Sequence, residues 1–138
     1  MKVQTVRWVA LMTVLFSAQI SQAYAEDYSS LLKGKRLILQ GATCAGIEFK
    51  KNTNTVLFYA ELVCSPTGEP TDEARVKWIT PNIFVSVATK GEDQKHCPPL
   101  VKIFQVENIS GNQVKLKEIW TGWGNLKDEI LQYTIIKK

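Results

Sequence analysis

Residues 100–138 read as three consecutive antiparallel strands, and this run constrains the fold more than any other segment. β-Branched and aromatic residues are frequent in it, and apolar residues occupy every second position. The alternating positions are Val114, Leu116 and Trp120 in one strand and Leu131, Tyr133 and Ile135 in the next. This period of two is typical of a pleated surface buried on one face. Because open sheet edges must be paired or closed, the run needs further strands to complete the sheet.

The preceding part of the chain continues the same pattern. Residues 28–33 predict a short helical turn, which Asp27 or Ser29 would cap and Gly34 would end. The predicted strands are residues 35–40, 46–51, 55–64, 74–80, 83–90, 101–108, 114–120 and 129–136. The sequence therefore predicts an all-β fold, a single eight-stranded antiparallel up-and-down barrel with a short N-terminal helical turn.

The connections between these strands alternate in length. The short ones are residues 52–54, 81–82 and 109–112, and the long ones are residues 41–45, 65–72, 91–99 and 121–128. Short hairpin links close one end of a barrel tightly, whereas longer links can fold over a mouth or hold a partner. We therefore expect one tight end and one loop-rich end.

Residues 1–25 have the features of an export signal. Lys2 and Arg7 give a positive start, residues 8–18 are apolar, and small residues precede position 26. The apolar run is well short of the ~20 residues that span a bilayer. We expect this signal peptide to be removed, leaving residues 26–138 as one β-barrel domain that is periplasmic or secreted and has no membrane anchor.

The charge of the chain excludes one class of partner. The formal net charge is +4, and removal of Lys2 and Arg7 with the signal lowers it by two. The remaining basic residues are scattered rather than clustered. This pattern gives no reason to expect a nucleic-acid partner.

The three cysteines, Cys44, Cys64 and Cys97, all fall at the predicted loop-rich end. An exported compartment favours disulfides, and loops that meet on one rim can bring Cα atoms within bridging distance. We expect one disulfide and one remaining thiol. Cys97 is the expected common partner, and the sequence leaves open whether Cys44 or Cys64 pairs with it.

A metal, haem or catalytic site is the alternative use of these sulfur atoms. His96 precedes Cys97, but the chain has no Cys-x-x-Cys motif and no second histidine. Neighbouring residues on an extended chain point in opposite directions, so this pair is poorly placed to bind one ion. Carboxylate pairs such as Glu92 and Asp93 are sequence neighbours in turns, where solvated charge is the ordinary explanation. We expect no metal, no cofactor and no enzymatic activity.

The aromatic residues supply the candidate binding site. Trp123 lies between Gly122 and Gly124 in a long connection, where it could contact a ligand or fold back as a lid over the core. Further candidates for ligand or partner binding are Trp120, Trp78, Phe104 and Tyr59, together with Glu61. The strand 55–64 is apolar on both faces, which indicates either ordinary surface apolarity or a covered outer face.

The strand pattern and the segment Leu-Lys-Gly-Lys-Arg-Leu at residues 32–37 resemble the lipocalin-like superfamily of small exported eight-stranded barrels. Gly34 occupies the glycine position of that family's first-strand Gly-x-Trp signature, and Arg36 stands at the tryptophan position. The resemblance implies binding of small apolar molecules or of proteins. In size, compartment and strand content the chain is also similar to small periplasmic lysozyme inhibitors.

Together these features predict an exported, non-enzymatic binding protein. We expect a small apolar ligand to bind at the long-loop end, in a cavity that is small because an eight-stranded barrel interior is only just wide enough for side chains or one ligand. The alternative is a protein-binding module, such as an inhibitor of a periplasmic hydrolase, that uses the same loops.

Overall fold

The computed structural model describes residues 26–62, 68–91, 99–122 and 126–136. Within them lie one short helix and eight strands. The elements are α1 (Tyr28–Leu32), β1 (Arg36–Leu39), β2 (Gly46–Phe49), β3 (Thr55–Tyr59), β4 (Asp72–Thr80), β5 (Ile83–Gly91), β6 (Val101–Ser110), β7 (Gln113–Ile119) and β8 (Glu129–Ile136). The predicted signal peptide, residues 1–25, lies outside the described residues.

The eight strands form one closed antiparallel barrel. Each strand pairs with the next along the chain, and β1 closes the barrel by pairing with β8. This register places Leu37 opposite Ile135 and Leu39 opposite Tyr133. The all-β, eight-stranded, up-and-down fold predicted from the sequence is confirmed.

Strand bounds differ from the prediction most clearly in β3, which ends at Tyr59 rather than at residue 64. The backbone N–H of Ala60 donates to the side chain of Thr71, and the carboxylate of Glu61 turns to the connection between β1 and β2. These hydrogen bonds between side chain and backbone, which join residues 11 and 18 positions apart, take the place of the strand ladder after Tyr59.

The connections divide the barrel ends as the sequence predicted. The short turns β2–β3, β4–β5 and β6–β7 lie at one end, which we call the closed end. The β1–β2, β3–β4, β5–β6 and β7–β8 connections lie at the other, which we call the mouth. This division follows from a meander in which successive strands reverse direction.

The helix α1 covers the closed end. Asp27 caps it by accepting a hydrogen bond from the backbone N–H of Ser29 at 3.2 Å, and the N–H of Tyr28 donates to the carbonyl of Pro81 at 3.2 Å. Leu32 is fully buried in the barrel core, which stabilises the fold by about 2 kcal/mol. Gly34, at φ 74°, ends the helix. Within the described ranges, no helix has the length and apolarity needed to cross a membrane.

A column of aromatic rings fills much of the barrel interior. Phe84 and Phe104 are stacked with ring centroids 5.0 Å apart. Trp78 and Phe49 contact Phe84 on the side of the closed end, at 5.0 and 5.4 Å, and Phe58 lies 6.3 Å from Phe104 on the side of the mouth. Such contacts add to the stabilisation from burial of the rings.

Gly46 lets β1 and β2 approach closely. A Cβ atom at this position would lie 1.9 Å from the carbonyl oxygen of Leu37. The substitution Gly46→Ala should therefore force the backbones apart and lower the free energy of unfolding by about 3 kcal/mol. Urea unfolding followed by circular dichroism measures the change. An unchanged unfolding midpoint would contradict the prediction.

Candidate functional site

A cavity of about 290 Å³ lies inside the barrel at the mouth. Its apolar and aromatic lining includes Leu39, Ile47, Phe58, Phe104, Leu131 and Tyr133. The volume is at the lower limit of small-molecule sites, which begin near ~300 Å³. The cavity can therefore hold only a small ligand.

Charged side chains line the same cavity. Asp72, Lys102 and Glu118 take part in its wall, and each lies on a strand at its mouth end. Glu118 is two residues from the buried Leu116 on β7, and Lys102 is two residues from the buried Phe104 on β6. Because side chains alternate along a strand, both charges share the inner face with these core residues.

Lys102 links the charged and aromatic parts of the cavity. Its Nζ is 3.5 Å from Oε1 of Glu118 and 5.8 Å from the ring centroid of Phe58. The side chains of Lys102 and Glu118 keep 35% and 32% of their surface exposed, so solvent and a ligand can reach them. A half-exposed ion pair of this kind contributes little to stability and can exchange partners.

Two glutamates lie side by side at the mouth ends of β7 and β8; Glu118 lines the cavity, and Glu129 is exposed at the rim. Glu118 of β7 is the register partner of Glu129 of β8. Among the described residues Glu129 forms no ion pair, whereas Glu118 is paired with Lys102. Like charges placed directly opposite on a sheet repel each other, so this pair is electrostatically unfavourable unless a cation lies beside it.

Tyr133 lies below these glutamates. It is 5% exposed, and its pKa is raised chiefly by burial and then by the charges of Glu118 and Glu129. Within the part of the chain that is described, no group forms a hydrogen bond with its hydroxyl. The phenol thus remains neutral and offers a donor and an acceptor to the cavity.

Glu61 orders the rim of the mouth. Its carboxylate accepts backbone N–H groups from Thr43, Cys44 and Ala45 at 2.7, 3.0 and 2.9 Å. These three hydrogen bonds lower the pKa of Glu61 to about 2. The β1–β2 connection is therefore fixed to the β3–β4 connection.

Asp128 has the same role in the β7–β8 connection. Its carboxylate accepts the backbone N–H of Trp120 at 3.0 Å and lies 3.0 Å from Nζ of Lys117. The hydrogen bond from Lys117, followed by that from Trp120, lowers the pKa of Asp128. A second part of the rim is thus held to the barrel wall.

A larger groove, about 600 Å³, lies beside the β2–β3 turn. Its lining includes the four charged residues Glu48, Lys50, Lys51 and Glu73, and it lies beside a turn rather than within the mouth of the barrel. Small-molecule sites are mostly apolar with few polar groups. We therefore place the candidate site in the smaller interior cavity.

The sequence-predicted aromatic residues are not all brought together. Phe104 forms part of the cavity lining and is 1% exposed, and Trp120 follows β7 at the mouth and is 39% exposed. Trp78 instead packs against Phe49 and Phe84 towards the closed end. Trp123 lies outside the described residues.

Tyr59 is among the residues that line the cavity, but its ring and hydroxyl contact side chains of the outer wall. Its hydroxyl donates to Oε2 of Glu48 at 3.0 Å, and the guanidinium carbon of Arg36 is 4.1 Å from its ring centroid. Burial, followed by the hydrogen bond to Glu48, raises the pKa of Tyr59. Tyr59 and its outward neighbour Leu57 are 8% and 6% exposed, so the outer face of β3 is covered.

The cysteines and the histidine are only partly described. Cys44 lies in the β1–β2 connection at the mouth and is 3% exposed. Cys64, Cys97 and His96 lie outside the described residues. Among the residues with assigned positions, no three metal-ligating side chains are grouped closely enough to hold an ion.

Sequence reasoning did not identify the inward charges Lys102, Glu118 and Glu129. The alternation of side chains along β7 and β8 could have identified the two glutamates. Glu118 lies two residues after Leu116, and Glu129 lies two residues before Leu131. Extending the inner face of β7 and β8 to their mouth ends would have placed Glu118 in the cavity wall and Glu129 on the same face at the rim.

The contacts of Glu61 predict a pH-dependent contribution to stability. Its folded-state pKa is about 2, below the usual value of 4.5, so the contribution is fully present above pH 4.5 and is lost as the pH falls towards 2. Glu61→Gln should therefore lower the unfolding temperature at pH 6, and the difference from the unmodified protein should shrink between pH 4.5 and 2. Thermal unfolding across this range tests it.

Glu69→Gln is the matched control, since Glu69 is an exposed glutamate in the same connection. It should change the unfolding temperature little at any pH. A Glu61→Gln effect that persists unchanged at the acidic limit would refute the linkage.

Comparisons with known proteins assign the chain to no family. No family model matches the chain, and neither a curated protein nor a solved structure matches it. The closed eight-stranded antiparallel barrel is consistent with a lipocalin-like fold in general. The function must therefore be argued from the site itself.

Proposed function

We propose that this protein is an exported, non-enzymatic binding protein that takes a small ligand with an apolar body into the mouth of the barrel. The observation that carries the proposal is the 290 Å³ cavity, which combines an apolar and aromatic lining with a few polar groups. Export is included because residues 1–25 have the features of a signal peptide.

The arrangement of the interior supports a small ligand rather than a long fatty chain. Phe84 and Phe104 are fully buried and stacked across the interior, and α1 covers the closed end. A ligand entering at the mouth would meet Phe104 as the floor of the cavity. The rings of Phe58 and Tyr133 would contact its apolar body.

A protein-binding module remains the second candidate. Several apolar side chains are exposed near the mouth, and they lie in the connections or at adjacent strand ends. They are Leu62, Leu126, Ile130, Val101 and Trp120. Exposed apolar residues grouped at one end are typical of an interaction surface. A hydrolase inhibitor would use this rim and would not need the cavity.

The proposal also includes the disulfide expected at Cys97, with Cys44 as its partner. Cys44 is buried at the mouth, in a connection that Glu61 holds in place. Cys64 and Cys97 belong in sequence to the parts of the chain that join β3 to β4 and β5 to β6. Such a bridge would join two parts of the rim and stabilise the fold by about 2–4 kcal/mol.

Filling the cavity should abolish ligand binding. Leu131 lies on the cavity wall, so Leu131→Trp should place an indole in the space that the ligand needs. We expect 2-phenylethanol, as a probe, to bind the unmodified protein and to bind Leu131→Trp at least about tenfold more weakly. NMR titration measures both affinities, and native mass spectrometry reports any ligand retained on purification.

Ile130→Trp is the control, because Ile130 is 50% exposed and is the sequence neighbour of Leu131 on the opposite face of β8. It should leave the affinity unchanged. Equal binding to the unmodified protein and to Leu131→Trp would show that the probe binds elsewhere. Failure of the probe to bind, together with a stable complex with a protein from the exported compartment, would favour the inhibitor.

Thiol counting tests the disulfide. Under denaturing, non-reducing conditions we expect one reactive thiol in the unmodified protein and two in Cys44→Ser, because the substitution should release the partner of Cys44. Ellman's reagent measures both. Three reactive thiols in the unmodified protein would eliminate the bridge.

A further inference from the structure

We propose that the ligand of the mouth cavity is a small organic cation, an ammonium group attached to an apolar or aromatic body. This inference rests on the proposed function and adds the chemical class of the ligand. It follows from the charges on the inner wall, the position of Tyr133 and the aromatic lining beneath them.

The first argument is the pair formed by Glu118 and Glu129. These residues are register partners at the mouth ends of β7 and β8, on the face that carries Leu116 and Leu131, and their like charges repel each other. Lys102 lies 3.5 Å from Glu118, and in the described part of the barrel it forms no ion pair with Glu129. A second cation placed next to Glu129 would relieve the repulsion and gain charge-assisted hydrogen bonds.

The second argument is the hydroxyl of Tyr133. Tyr133 is 5% exposed and lines the cavity. Burial, followed by the charges of Glu118 and Glu129, raises the pKa of its hydroxyl. An ammonium group has three N–H donors and no acceptor. One donor could reach the phenol oxygen while the others reach the glutamates.

The third argument is the lining below the charges. Phe58, Phe104 and Tyr133 present aromatic surface to the cavity, and the Nζ of Lys102 already lies 5.8 Å from the Phe58 ring centroid. Aromatic faces attract cations, and the attraction is larger where water is excluded. The same surface would pack against an apolar body.

An anionic ligand fits this wall less well. Its head group would have to compete with Glu118 for Lys102 and would then stand near Glu129. A neutral ligand would leave the repulsion between the two glutamates in place. The cation is therefore the ligand class with the best electrostatic complementarity.

Three probes with similar aromatic bodies and different head groups test the inference. They are 2-phenylethylammonium, 2-phenylethanol and 3-phenylpropanoate, titrated at pH 7 and low salt with NMR or calorimetric detection. We expect the ammonium compound to bind about tenfold more tightly than the alcohol, and the carboxylate to bind most weakly. Raising the salt concentration should reduce the preference for the cation.

Charge variants connect the preference to the named residues. Glu129→Gln should reduce the ammonium-to-alcohol affinity ratio about tenfold, whereas Lys102→Gln should increase it, because it frees Glu118 for the ligand. Glu73→Gln is the control, since Glu73 is ion-paired with Lys90 on the outer wall, and it should leave the ratio unchanged. Taking the ratio separates recognition of the head group from any general effect on the fold.

The outcomes distinguish this inference from the proposed function. Binding of the alcohol without a preference for the ammonium compound, or a ratio unaffected by Glu129→Gln, would overturn the cation while leaving a binding cavity in place. Failure of all three probes to bind would overturn the proposed function and this inference with it.

Discussion

The pairing of β1 with β8 is the constraint on which the remaining structure depends. It closes the sheet, and closure gives each strand an inner and an outer face. β1 has only four residues, and each of them pairs with β8. Gly46 allows β2 to approach the other side of β1 closely. Because the barrel is closed, it has an apolar core, two distinct ends and charged side chains that face its interior at the mouth.

Side-chain size along the barrel determines where space remains. In the half towards the closed end, Phe49, Trp78 and Phe84 occupy the interior, and Leu32 of α1 adds a further apolar side chain. An eight-stranded barrel has room for little more than its own side chains, so this half is filled. Towards the mouth the inner positions of β4 and β5 include Ala74, Ser86 and Ala88. These small residues, together with the longer charged side chains near the rim, leave room for the cavity at the mouth.

The fold was predictable from the sequence because strand period and link length are local properties. The number of strands and the loop-rich end follow from them, as does the helix that Asp27 caps. The end occupied by Trp78 was also deducible, since β4 runs from the mouth to the closed end and Trp78 lies near its last residue. The outward direction of the Tyr59 side chain was not deducible from the sequence. β3 is apolar on both faces, and the alternation of its residues does not say which face is inside the barrel. The cavity was not predictable either, because its volume depends on how side chains from most of the strands pack together.

The small volume of the cavity would give its polar groups a large share in selecting the ligand that we propose. Burial of apolar surface yields about 25 cal/mol per Å², and a ligand that fits 290 Å³ has little surface to bury. Selectivity must then come from how the head group meets Lys102, Glu118 and Glu129. Ordering of the rim helps, because Glu61 and Asp128 already hold two connections and less freedom is lost when a ligand binds. A mouth that is ordered in advance and carries two adjacent carboxylates is therefore suited to discriminate ligands by charge more than by apolar bulk.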